Sequence, residues 1–483
     1  MKNTFIEEPK LYFGNNEENI DPKIGLINFG CYGRFSKGEQ EPLTIRAGFI
    51  GTLKAKQMFE AWLEKLRYRI SGRIYASTNK REVDFPGISL ESPLRFEIKV
   101  DDSCCQYIDD SAIRELENYD RKERVAKLVE IYDQKFKDLK DTTDPHPDIV
   151  FLPLSELTME LCKDPNIAEE KIIYERRNVK IKQGETYPLF DFHNVMKVLA
   201  YKHGGMASQI IRPTTMNFNK LVQDPATIGW NFAVATYYKA TGIPWKLSEL
   251  DENTCYVGLS FYKELSKGNT NLRTSMAHVY MRTGESQVII GKPFHWDDAI
   301  SKRPSLSESF ATEIINDVIE LYKRQREVYP KRVVIHKTSP FTAEEIVGFD
   351  KALKDIELAD YIHINENNGI RLFPKSEKYP ALRGTFLYTA TKFLLYTTGY
   401  VPLLDTYCGS SIPAPLFLEA YRLNSTPEKV AKDILALTKL DWNNSYFNTR
   451  LPVTISVSRK VGEILSESSA EKLDLPPSYR YYM

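Results

Sequence analysis

The sequence predicts an α/β protein of two successive units, a Rossmann-like, doubly wound unit over residues 1–245 and an RNase H-like unit over residues 246–483. Three observations carry this. Through the first half, short continuously apolar runs alternate with amphipathic stretches of helical spacing, the pattern of strand–helix–strand units. From Cys255 the pattern changes to three successive strand-like runs, CYVGLSFYKE, SMAHVYMRT and SQVIIGKPF, followed by a helix and the apolar run RVVIH. With 483 residues, 42% of them hydrophobic, the chain can bury more than one core.

In chain order, LINFG and IRAGFIGT read as apolar runs broken by glycine, and AKQMFEAWLEKLRYRI as the amphipathic helix beside them. SAIRELENYDRKERVAKLVEIYDQKFKDLK is a charged helix, DTTDPHPD a break, and DIVFLPLS a strand buried on both faces. The polar stretch KIKQGETYPLF leads into the helix DFHNVMKVLAYKHGG, stopped by its double glycine. SQIIRPTT is a short strand ended by Pro213, and ATIGWNFAVATYYKATGIPWKL an apolar helix closed by Gly242 and Pro244. In the second unit Gly284 and Glu285 turn between the last two of the three strands. The helix EIINDVIELYKRQREVYP then precedes RVVIHKTSPF, and further helices follow.

The 65 basic and 65 acidic residues cancel, so no net positive field marks the chain, although a local basic channel remains compatible with balanced totals. MKNTFIEEPK is too charged for a secretory leader, and no apolar stretch reaches membrane-spanning length, so no membrane insertion is expected. Six cysteines without a C-x-x-C pair fit a reduced, cytoplasmic setting. Seven histidines form no H-E-x-x-H, and no G-x-G-x-x-G is present, so neither a zincin nor a dinucleotide site is expected.

His193 and Lys197 stand at i and i+4 and therefore project from one helix face. With Gln209 just after a turn and Lys239 near the end of the next helix, they supply ammonium, amide and imidazole donors that could converge on an anion. The alternative is a solvated face or pairing with nearby acids. Lys202 and His203 either contact a bound backbone or flank the helix end. The ending PPSYRYYM is aromatic where most termini are polar, which suggests a tucked terminus.

Taken together, FHNVMKVLAYKH, SQIIRPTT, YYKATGIPWKL, CYVGLSF, VVIHKTSPFTAEEIVGF, LRGTFLY, LLYTTGYVP, ILALTKLDWNN and LPVTISVSRKVGEIL resemble the short prokaryotic Argonautes, which consist of a MID and a PIWI domain. The resemblance covers residues 190–483 well and the first 150 more loosely. It implies a MID domain over 1–245 and a PIWI domain over 246–483. It also implies that His193, Lys197, Gln209 and Lys239 form the pocket for a guide strand's 5′ phosphate, with His193 where many relatives carry a tyrosine that stacks on the first base. The carboxylate of Met483 would share a Mg²⁺ with that phosphate; a terminus that simply packs is the alternative.

Two-metal cleavage needs several acidic oxygens gathered around the cations. By resemblance the positions that would hold them read Ser260, Lys337 and Arg459, none able to ligate a hard cation, which implies an inactive PIWI domain whose positive charge attracts phosphate instead. Asp297, Asp298 or Glu344 could form a relocated acidic site, or simply a solvated surface. The resemblance further implies a small guide RNA, a single-stranded DNA target and a heterodimeric partner with an APAZ region. That partner would carry a sirtuin-like or TIR NAD-hydrolysing effector, less commonly a nuclease, in defence against plasmids or phage. A guided nuclease with a rearranged metal site and a non-catalytic protein–protein scaffold are the competing expectations.

Overall fold

The computed structural model describes residues 2–36, 39–75, 80–163, 191–218, 223–248, 250–251, 253–263, 272–280, 286–296, 303–375, 380–405, 407, 411–465 and 478–483. The polar stretch 180–190, Gly284, Glu285, Asp297, Asp298 and Cys408 lie outside them. The chain opens with β1 (Lys2–Phe5), then forms β2 (Leu43–Gly51), α1 (Leu53–Leu66), β3 (Phe96–Tyr107), α2 (Arg121–Thr142), β4 (Ile149–Pro153), α3 (Phe192–Lys202), β5 (Ala207–Ile211) and α4 (Pro225–Lys239). Strands β5, β4, β2 and β3 pair in that order, all parallel.

Parallel strands covered on both faces need apolar residues throughout, and all five residues of β4 are buried. One face packs on α1 and α4, where Phe59 meets Phe151 at 4.9 Å and Trp62 meets Phe232 at 4.7 Å between ring centroids. The other packs on α2 and α3 through Leu128, Tyr132, Phe136, Phe192 and Met196. The helices start at side-chain caps: Thr52, Asp191 and Asp224 each accept a backbone N–H of the first turn. The expected charged helix is interrupted at Tyr119 and Asp120, because the Asp120 carboxylate accepts the Glu123 N–H and so begins a new helix.

The second unit comprises β6 (Thr254–Lys263), β7 (Leu272–Tyr280), β8 (Ser286–His295), α5 (Glu308–Arg326), β9 (Arg332–Lys337), α6 (Ala343–Ala352), β10 (Leu358–Asn365), β11 (Thr385–Tyr388), β12 (Lys392–Leu395), β13 (Leu416–Leu423), α7 (Pro427–Leu437) and α8 (Val453–Leu465). Nine strands form one sheet in the order β1-β11-β12-β13-β10-β9-β6-β7-β8, with β6, β9 and β10 mutually parallel. The three-strand meander, the helix and the returning parallel strand are the RNase H-like order expected from the sequence. Strands β10 to β13 extend it where only helices were anticipated. Helices α5 and α6 cover one face around Val257, Leu259 and Ile335. Helix α8 covers the other so closely that a Cβ on Gly258 would lie 1.8 Å from the Thr454 carbonyl oxygen, which requires glycine there.

Residues of the first span also pair with strands of the second. Strand β1 pairs antiparallel with β11 of the second sheet, Thr4 opposite Phe386. Leu11–Tyr12 pairs with Lys246–Leu247. One core cluster runs through both units, including Trp62, Trp230, Trp245, Tyr256 and Val457. The five described cysteines are free thiols, and no described helix is long and apolar enough to cross a membrane.

Candidate nucleic-acid interface

The four residues singled out on donor chemistry converge. Asp191 caps α3 by accepting the His193 N–H, which sets His193 and Lys197 one turn apart on the face that looks toward β5 and the chain's C-terminal end. Lys197 is buried and its Nζ donates to the Tyr482 carbonyl at 3.2 Å. Lys239, in the last turn of α4, is also buried; its Nζ donates to the Ser208 carbonyl at 2.9 Å and to Gln209 Oε1 at 2.5 Å. The Gln209 amide Nε2 donates in turn to the Ile210 carbonyl at 3.2 Å. His193 is exposed and lines an open cleft of about 400 Å³. Gln209, Arg212, Thr215 and Asn231 supply polar lining, and Trp62 and Phe232 an apolar wall.

The electrostatics are unusual for an interior. Lys197 holds His193 well below the ordinary histidine pKa, helped by desolvation, Lys460, Lys239 and Arg212, so the imidazole is neutral near pH 7. Burial lowers Lys197 well below the lysine range, and Lys460 and Lys239 add to it, with Asp191 pulling the other way. Lys239 is lowered by burial and then by Lys460. Burial also lowers Lys460, against the pull of Asp441 and Glu463. Among the described residues, no carboxylate forms an ion pair with Lys197 or Lys239. Buried cations are ordinarily paired. Lys197 and Lys239 are thus buried without an ion-paired carboxylate, beside a cleft that His193, Gln209 and Arg212 line.

Arg212 and Lys460 are members that residue-by-residue reading missed. Arg212 follows β5 directly and was visible within SQIIRPTT. Lys460 comes from α8, more than two hundred residues away in sequence, and only the docking of the second unit on the first brings it in. Lys202 and His203, by contrast, turn to Asp133 on α2, with His203 Nε2 at 2.6 Å from its carboxylate. Met483 is buried and its side chain joins the core, while Tyr481 packs on Tyr201 at 5.5 Å, so the tail is tucked against α3.

At the second candidate site Ser260, Lys337 and Arg459 do not converge. Strands β6 and β9 run in register with Gly258 beside His336 and Leu259 beside Lys337. Side chains alternate along a strand, so Ser260 and His336 face α8 while Lys337 faces α6. The hydrogen bonds agree: Ser260 Oγ donates to the Ser458 carbonyl at 3.2 Å, and His336 Nδ1 lies 2.9 Å from Thr454 Oγ1. Lys337 instead lies 2.5 and 2.6 Å from the two carboxylate oxygens of Glu345, with side chains 1% and 0% exposed. Burial lowers its pKa and Glu345 opposes this.

The expectation that Lys337 presents positive charge to a phosphate is therefore corrected, because its charge is buried on the far face and already neutralised. Continuing the register by one step sets the exposed Thr338 beside Ser260. Arg459 does face outward, on α8, and pairs with Glu366 at 2.5 Å. Glu344 lies exposed in the first turn of α6, and no group of three or more His, Cys, Asp or Glu suited to a metal occurs among the described residues.

No family model and no curated protein matches the sequence. Solved structures do match the fold. Clostridium butyricum Argonaute, bound to a guide DNA and a 19-mer target DNA, is similar at a TM-score of 0.65 and 17% identity over 97% of this chain and 54% of its own. Aquifex aeolicus Argonaute is similar at 0.57 and 17%, over 99% of this chain and 54% of its own. Drosophila Piwi is similar at 0.57 and 12%, over 100% of this chain and 56% of its own. The chain thus has the MID–PIWI fold of Argonautes and spans about half the length of those proteins.

Proposed function

We propose that this chain is an Argonaute-type, guide-directed nucleic-acid-binding protein that seats a guide strand's 5′ phosphate among His193, Lys197, Gln209, Lys239, Arg212 and Lys460. The observation that carries this is the pair of buried lysines, Lys197 and Lys239, neither ion-paired with a carboxylate among the described residues. A phosphate dianion supplies the missing counter-charge, accepts the ammonium and amide donors, and leaves the first nucleotides to run along the adjoining cleft. Base pairing along the guide then reads the target. The tail brings the end of the chain beside Lys197, so the Met483 carboxylate and the phosphate could hold a Mg²⁺ between them. The cationic donors alone would repel such an ion, so it would bind only with the phosphate, to which it supplies charge neutralisation.

The same proposal includes a PIWI domain that holds its target without cutting it. Ser260, Thr338 and Arg459 stand where the sheet ends, and none of them offers an oxygen pair to a divalent ion. It also includes a guide of small RNA, a single-stranded DNA target, and an APAZ-bearing partner whose sirtuin-like or TIR effector acts once target is bound. These finer points rest on the resemblance to short Argonautes. The deciding experiment compares short RNAs with a 5′ phosphate and a 5′ hydroxyl. The phosphate form should bind at least about tenfold more tightly, and Lys197→Ala with Lys239→Ala should erase the difference. Equal binding of the two ends would overturn the pocket, and a target cut that EDTA abolishes would overturn the non-cleaving reading.

A further inference from the structure

The loop between α7 and α8 belongs to the second unit, yet it lies against the cleft of the first. Trp442 is buried and packs on Tyr238 of α4 at 4.6 Å between ring centroids. Asn231, also on α4, accepts the Ser445 N–H at 2.9 Å and the Ser445 hydroxyl at 3.0 Å through its amide oxygen. Asn231 and Asn443 both line the cleft, so the loop forms part of its wall. The next residue, Tyr446, stands at the rim with 43% of its surface exposed. Its hydroxyl accepts the amide N–H of Gln223, another lining residue, at 2.5 Å, and its backbone N–H donates to Asn444 Oδ1 at 3.0 Å. The ring is therefore tethered at both ends while its body stays in solvent. A single strand leaving such a cleft carries unpaired bases, and every base has a π-face that stacks on an aromatic side chain whatever its identity. A ring held in advance loses little freedom when a base settles on it.

We infer that Tyr446 is a stacking platform for an unpaired base of the guide strand, near the end whose phosphate the buried lysines hold. It rests on the reading that a 5′ phosphate sits beside Lys197 and Lys239. The platform takes a nucleobase of single-stranded RNA without regard to its sequence, and it adds affinity through ring contact instead of charge.

The test measures the affinity of the full chain for short 5′-phosphorylated RNAs, either intact or with one abasic site placed at each of the first positions in turn. Tyr446→Ala should weaken the intact RNA about fivefold to tenfold and leave the salt slope unchanged, because stacking displaces no counterions. Tyr446→Phe keeps the ring and loses the hydroxyl tether, and should stay within about twofold of the unmodified protein. At one position the abasic site should bring the unmodified protein down to the level of Tyr446→Ala and cost that variant nothing more. Unchanged affinity in Tyr446→Ala sinks the platform. Equal loss in Tyr446→Ala and Tyr446→Phe also sinks it, since the residue would then be a hydroxyl bridge between the units, as does a loss in Tyr446→Ala that no abasic position absorbs. The 5′-hydroxyl form of the same RNA separates the platform from the reading beneath it. Equal binding of the two ends by the unmodified protein overturns the phosphate pocket and the platform with it, whereas a retained phosphate preference with no effect of Tyr446→Ala overturns the platform alone.

Discussion

Two groups of buried cations meet the same low-dielectric interior with opposite solutions. Near the start of the chain, Glu8 receives Arg383 Nε at 2.8 Å and Lys439 Nζ at 2.7 Å, with the two cations fully buried. Burial pushes the Glu8 carboxyl up, but Arg383 and Lys439 outweigh it and hold the group below its ordinary value. Lys439 is brought down to about 8, chiefly by burial, with Glu8 resisting. Beside the cleft, Lys197 and Lys239 are also buried, yet among the described residues no carboxylate forms an ion pair with either. One region places a carboxylate between two buried cations; the other leaves its two lysines without an ion-paired acid, which is what the proposed phosphate site requires.

The comparison breaks most sharply at Glu8. Glu8→Ala should destabilise the fold by about 3–5 kcal/mol, because two buried cations lose their counter-charge, and urea unfolding measures this. The pH sign follows from its depressed pKa: the Glu8 contribution is complete above the ordinary carboxylate value near 4.5 and is lost as pH falls through the lower folded value. Lys337→Met should cost about 3 kcal/mol by stranding Glu345, and guide and target affinities should not move, since that pair faces away from Ser260. A loss of target affinity in a folded Lys337→Met protein would return Lys337 to the groove.

Lys197→Met should act in the reverse sense, raising the stability of the free protein by about 1–2 kcal/mol while weakening binding of a 5′-phosphorylated RNA, as read by thermal unfolding with and without that RNA. Destabilisation of the free protein by this change would mean that the cluster already has a countercharge. The smallest effect is on pH. A bound phosphate raises the depressed pKa values of Lys197, Lys239 and His193, so binding takes up protons and should tighten as pH falls. For the lysines the window lies between their lowered free values and the ordinary value of about 10.4. Titrating affinity for 5′-phosphorylated RNA checks the sign.

Much of the cleft was legible because helical spacing is local: His193 and Lys197 had to share a face of α3 whatever the rest of the chain did. Gln209 and Lys239 could be placed by chemistry once their strand and helix were recognised. Lys460 could not, since nothing within its own helix shows that α8 docks over α3. The Lys337 error has a different origin. Along a strand one position of displacement reverses the face, so identifying the right strand without its register put an inward lysine where an outward threonine stands. Strands β10 and β13 pair with each other across the intervening β11 and β12, so neither shows its partner locally, whereas β11 and β12 form a local hairpin that the apolar pattern alone did not reveal.

The link between β1 and the second sheet bears on how the chain reaches this state. Glu8 and Arg383 are 375 positions apart, so during synthesis the first strand emerges long before the edge it completes. Closing so long a loop is entropically slow, and contacts of this range set the pace of folding. The N-terminal segment should therefore be a late arrival, leaving the β11 edge open to other strands until it docks.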